Sequence, residues 1–150
     1  MNIRKQAPCM SAIPAVLVAF LVCVNVARAG ETLIGKVPFE FTVGQKTLPA
    51  GEYAFEIDRL SPGTVLVRST ESTASAIALS RRAGDTVIAG APFMEFNVYG
   101  QRRFISLIRT GERAAVSIGQ GALERSLAKA GVRPSVALVQ PTAARPMTRF

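Results

Sequence analysis

Hydrophobic and polar positions alternate with a period of two over several short stretches of this 150-residue chain. That is the spacing of half-buried strands. Val37, Phe39, Phe41 and Val43 alternate with Pro38, Glu40 and Thr42, so Glu40 and Thr42 are expected to face solvent. Proline restricts this strand to an edge, a bulge or a strand boundary at Pro38. Gly44-Gln45 suits a two-residue hairpin turn with glycine at its first central position. Leu48-Pro49-Ala50-Gly51 suits a second turn, with proline presetting φ. The strand that follows places Tyr53, Phe55 and Ile57 on one face, and Ser61-Pro62-Gly63-Thr64 turns it back into a Val/Leu strand over 64–69.

After a polar loop at 70–73, residues 74–79 alternate small side chains with Ile77 and Leu79. The pattern fits a weak strand, and a helix is also compatible with it. Arg81 to Asp85 reads as a charged loop and 86–89 as a short strand. Met94, Phe96 and Val98 share one face of a firm strand over 93–99, and the Gly100-Gln101 turn leads into 103–109. That strand is apolar on both faces along part of its length, which predicts a central position. Residues 114–118 are expected to close the meander. Ala122 to Ala130 predicts a short helix with Leu123, Leu127 and Ala130 on one face, and Gly131 at its C-terminal end. A helix this short needs to dock on the sheet. A last strand is expected over 135–139, then a flexible basic tail over 140–150. The predicted fold is mainly β: an antiparallel meander forming a sandwich or partly open barrel, with one short C-terminal helix, in a single domain over 30–139.

The amino-terminal pattern is different. Arg4 and Lys5 precede an apolar run over 12–26, and Ala27-Arg28-Ala29 is an A-x-A site, so 1–29 reads as a secretory signal peptide cleaved before Gly30. The run is shorter than the roughly 20 residues a spanning helix needs. Cleavage would remove both cysteines, Cys9 and Cys23, together with Arg4, Lys5 and Arg28, and lower the net charge from +8 to +5. The expected location is the periplasm or the cell exterior, with membrane contact only through the uncleaved signal.

The stretch V-P-F-E-F-T-V-G-Q-K-T-L-P-A-G-E-Y, Val37 to Tyr53, lies shortly after that export signal. It is similar to a family of small secreted bacterial proteins of uncharacterised function that carry a V-P-F-x-F-x-V-G strand and an L-P-A-G-x-Y turn. Later features of the family correspond to Val98-Tyr99-Gly100, Phe104 and the segment from Glu124 to Lys129. The resemblance is specific over 34–57 and loose over 93–130. It implies an exported β-rich domain and supplies no catalytic residues.

The chain has no histidine, which removes the usual general base, the commonest metal ligand and the Ser-His triad. Without cysteine after cleavage, an ordinary N/S zinc site is excluded as well. Ten carboxylates remain. Glu56 and Asp58 fall on one strand face and Glu40 or Glu95 could lie across from them, the arrangement a glycoside hydrolase uses. Each also alternates with apolar positions as a solvated strand residue does. Ser126-Leu127-Ala128-Lys129 matches a serine-hydrolase string whose companion motifs are absent. No metal or cofactor is expected.

Charge is the informative asymmetry. Residues 30–100 carry a net −2 and residues 101–150 a net +7. Arg102, Arg103, Arg109, Arg113, Arg125, Lys129 and Arg133 are therefore the candidate contacts to polyanions, because the guanidinium fork suits carboxylate and phosphate. Arg145 and Arg149 add to them from the tail. Partners would be anionic envelope polymers or acidic protein surfaces, since nucleic acid lies in another compartment. The expected role is a non-catalytic binding or structural module. The alternatives are a small-ligand carrier with a barrel cavity and a carboxylate-based hydrolase of an envelope polymer.

Overall fold

The computed structural model describes residues 30–57, 63–83, 90–111 and 115–146. The expected signal peptide with Cys9 and Cys23, Asp58, the start of the 61–64 turn, the 86–89 strand, Arg113 and Arg149 lie outside the described residues. Eleven strands and one helix follow in chain order: β1 Glu31–Val37, β2 Phe41–Val43, β3 Lys46–Leu48, β4 Gly51–Ile57, β5 Thr64–Ser69, β6 Ser75–Arg82, β7 Phe93–Tyr99, β8 Arg102–Arg109, β9 Ala115–Ile118, α1 Ala122–Lys129, β10 Ser135–Val139 and β11 Ala143–Pro146.

The strands run in the order β10-β7-β8-β9-β6-β5-β4-β1-β11, with β2–β3 attached beside β8. All pairings are antiparallel except that of β2 with β8, through Thr42 and Phe104. β6 makes the corner: its first half pairs with β5 and its Ser80–Arg82 end with β9. Two sheets therefore face each other across one core. The sheet is not closed into a barrel, because β10 and β11 are edges.

The alternation over 37–43 is real, but it is not one strand. Pro38 ends β1 in the first sheet, and the chain crosses to the second sheet before β2 begins at Phe41. Proline has no N–H to give a ladder, so the crossing falls where pairing is least useful. Val37, Phe41 and Val43 are buried in the core on either side of it, and Phe39 packs against it. Glu40 is exposed as expected. Thr42 is instead buried, with its hydroxyl 3.1 Å from that of Thr47, because β2 is covered on its outer side as well.

Rings fill the space between the sheets. Phe41 lies edge-on to Tyr53 and to Phe96, at centroid distances of 5.1 and 5.5 Å. Tyr53 Oη donates to Pro49 O at 2.7 Å, tying β4 to the Leu48–Gly51 turn. Edge-to-face pairs of this kind add about 0.5–1.5 kcal/mol each beyond their burial.

Residues 75–82 are strand throughout, so Arg81 and Arg82, expected in a loop, pair with Ser117 and Val116 of β9. β8 carries a register shift: Glu95 pairs with Leu107, but Phe96 pairs with Ile105. The extra residue, Ser106, places its hydroxyl 3.1 Å from both the carbonyl and Oε1 of Glu95. The bulge lets Ile105 and Ile108, three apart in sequence, both face the core, while Phe104 is buried on the other face beside Tyr99.

The expected basic tail is corrected at 143–146. Those residues form β11, antiparallel to β1, and Thr142 N donates to Ile34 O at 2.8 Å. β1 would otherwise present an unpaired edge, and Pro146 is tolerated because it sits at the end of an edge strand.

Candidate functional site

The helix begins at Gly121, whose backbone packs so closely on the Gly44 carbonyl that a Cβ there would collide with it. It ends in a Schellman motif: Gly131 has φ 80°, Gly131 N donates to Ala128 O and Val132 N to Leu127 O. Both ends are thus fixed by glycine, and the helix lies on the outer face of the second sheet.

The face it presents is not the expected one. Leu123 is 44% exposed and Ala130 is exposed, whereas Glu124 is only 3% exposed and Leu127 is half-buried. Asn97 Nδ2 donates to Glu124 Oε1 at 2.8 Å. Burial pushes the Glu124 carboxyl above its ordinary value, and the Asn97 bond opposes that shift. Tyr99 is likewise pushed up, first by burial and then by the Glu124 charge. Phe104 packs edge-on to Tyr99 at 5.8 Å. A carboxylate under the helix with an amide and two rings makes a small second cluster outside the main core.

Beside this cluster, the β7–β8 turn, the β2–β3 hairpin and the start of the helix enclose a groove of about 350 Å³. Arg102 and Arg103 line it with Gln101, Glu40, Thr42 and Thr47. Phe41 supplies part of its floor and Leu123 part of its wall. Gly100, with φ 61°, makes the turn that puts the two arginines at the mouth. Arg103 stacks over Phe39 at 4.8 Å and its Nη1 donates to Gln101 O at 3.3 Å. Arg102 is exposed. The groove thus offers two guanidinium groups, one of them held by an aromatic ring, with hydroxyl and amide groups and the single carboxylate of Glu40 beside them. Such a set can bind carboxylate or phosphate.

The remaining candidates do not join it. Arg109 stands at the other end of β8, with its guanidinium 4.9 Å over Phe93 and its Nε without a hydrogen-bond partner among the described residues. Arg125, Lys129 and Arg133 are exposed along the helix and the turn after it, outside the groove. Arg113 lies outside the described residues.

The carboxylates also stand apart. Glu56 is on the outer face of the first sheet, 3.8 Å from Arg68, while Glu95 is on the outer face of the second and Glu40 lines the groove. Among the described residues, no group of three or more metal-ligating side chains converges. No helix there is long and apolar enough to cross a membrane.

Thr42, Thr47 and Gln101 were not legible as site residues, because alternation alone assigned Thr42 to solvent. The turn signals at Gly44 and Gly100 mark two hairpin ends in the sequence but not that they meet. No protein-family model matches the chain, and no match is found among curated proteins or solved structures.

Proposed function

We propose that this is an exported, non-catalytic binding module of the periplasm or cell envelope. It takes anionic groups of an envelope polymer or an acidic protein surface at the groove held by Arg102 and Arg103. The observation that carries the reading is the meeting of both arginines with Thr42, Thr47 and Gln101 in one groove. A core filled by Phe41, Tyr53, Phe55 and Phe96 supports a surface site over a ligand held between the sheets. The wide separation of Glu56 from Glu95 supports binding over carboxylate-pair hydrolysis.

Export is tested by intact mass of protein recovered from the native envelope fraction, which should begin at Gly30. Binding is tested by retention on an anionic matrix across a salt series. Arg102→Gln with Arg103→Gln should lower retention well below that of Arg125→Gln with Lys129→Gln, although both remove two charges. Equal losses would reduce the effect to net charge and remove the groove from the reading. Removing 140–150 is unsuitable as a control because it deletes β11, so Arg145→Gln with Arg149→Gln is the comparison for the carboxy-terminal charges.

A further inference from the structure

β6 is turned opposite to what its composition favours. Its small residues Ala76, Ala78 and Ser80 face inward and are buried, while Ile77 and Leu79 point outward at 66% and 75% exposure. The inward side has a local cause: the Gly44 turn packs on β6, within 3.8 Å of the Ala78 Cβ for a Cβ placed at Gly44. Nothing in the fold requires the outward side to be large and apolar. In register, Leu66 lies beside Ile77 and Thr64 beside Leu79, and on β1 and β4 Ile34 lies beside Ala54. Leu66, Ile34 and Ala54 are each partly exposed on that face. Glu56 beside Leu66 and Arg68 beside Ala54 part the Ile34–Ala54 pair from the rest, so the contiguous patch is Leu66, Ile77 and Leu79, and outward apolar residues grouped in this way mark an interaction surface.

Its charges indicate the partner. Over β1, β4, β5 and β6 as far as Leu79, the outward charged residues are Lys36 and Arg68 against Glu52 and Glu56. They balance, and Arg68 already pairs with Glu56 at 3.8 Å. Arg81, the next outward residue of β6, stands where the strand has passed into the second sheet. The outer side of that second sheet is basic, with Arg102, Arg109, Arg125, Lys129 and Arg133 against Glu95 and the buried Glu124. Two copies of a strongly basic chain repel through such a face and approach most easily through one without net charge. An isologous contact also requires a surface complementary to itself.

We propose that the outer face of β1-β4-β5-β6, centred on Leu66, Ile77 and Leu79, is where the protein pairs with a second copy of itself. Four strands by five residues span about 19 Å by 17 Å at 4.8 Å between strands and 3.4 Å per residue. That footprint, about 320 Å² on each copy at the same spacings, is well below the roughly 1,200 Å² in total of a stable specific interface, so the dimer is a weak and reversible one.

Sedimentation equilibrium of the chain from Gly30 onward, which holds every described element, should show a concentration-dependent monomer–dimer equilibrium that persists in high salt. Ile77→Lys with Leu79→Lys should abolish the dimer with an unchanged circular dichroism spectrum. Residues 30–150 contain no cysteine, so Ile77→Cys provides a second readout. A short thiol cross-linker should join two such chains far more efficiently than chains carrying Gln120→Cys, at an exposed residue before the helix. A monomer at every concentration, or cross-linking no better than the Gln120 control, overturns the proposal. So does a dimer that survives the β6 changes but is lost with Val136→Lys and Leu138→Lys on β10, which would place the contact at the opposite sheet's edge.

Discussion

Phe41 is where truncation should do most damage. Its ring is 1% exposed and meets Tyr53 and Phe55 of the first sheet and Phe96 of the second. Phe41→Ala removes the ring and leaves a cavity rimmed by side chains from two different sheets. Those backbones are held by their own ladders and can collapse little. Phe-to-Ala changes cost about 3–5 kcal/mol, more where the site cannot close, and two lost edge-to-face pairs push this one to the upper end. A domain of this size has about 5–15 kcal/mol in total, so the variant should be close to unfolding. The assay is urea denaturation, read as a fall in the midpoint at constant m. Phe96→Ala should lose a comparable amount, for the same reason. Phe39→Ala should lose clearly less, because the residue is half-buried and its ring meets Phe96 and the Arg103 guanidinium at the edge of the core. A loss under about 1 kcal/mol for Phe41→Ala, within the range of an ordinary surface change, would refute the placement of this ring between the sheets. So would a larger loss at Phe39.

Tyr53→Phe deletes the hydrogen bond to Pro49 O and should lower stability by about 0.5–1.5 kcal/mol, because water can reach the exposed turn and take the place of the hydroxyl. Thermal unfolding measures it, and no change would mean that the L-P-A-G-E-Y turn holds itself. Gly121→Ala should destabilise, because its Cβ meets the Gly44 carbonyl and alanine is a poor N-cap residue; a stabilised variant would show that the helix start can shift freely. Glu124 makes a signed prediction. Its folded value lies above the ordinary 4.5 because burial disfavours the charge, so between those values the native state binds more protons than the unfolded one. Stability should therefore fall as pH rises above 4.5 towards the raised value and then level. Glu124→Gln should flatten that slope and leave stability at low pH little changed. An unaltered slope in the variant would assign it to other groups.

The elements that sequence pattern located well are those whose turns carry their own chemistry. Gly44, Pro49-Ala50-Gly51, Gly100 and Gly131 each fix a reversal through backbone restrictions that act within a few residues. β2–β3, β4, β7–β8 and the end of the helix accordingly fall close to where the pattern puts them. Beyond the extra strand at 143–146 and the longer β6, the misreadings concern what a face meets, which depends on residues distant in the chain. Thr42 looks solvated because it alternates with core residues, but β2 has cover on both sides. Leu123 and Leu127 look like the docking stripe because they are apolar and four apart. The start of the helix is fixed by Gly121 against Gly44, and that orientation turns Glu124 towards Asn97 and leaves Leu123 on the groove. β6 shows the same limit from the other direction: an alternation of alanine with isoleucine and leucine reveals a strand, but not which set faces inward. On the inward side the Gly44 turn lies over Ala78, where a larger side chain would meet it. The groove and the inward face of β6 thus border the same turn, which meets the start of the helix at Gly121 and faces Ala78. A substitution that enlarged Ala78 should therefore disturb the turn and the groove together, although Ala78 and the groove lie on different sheets.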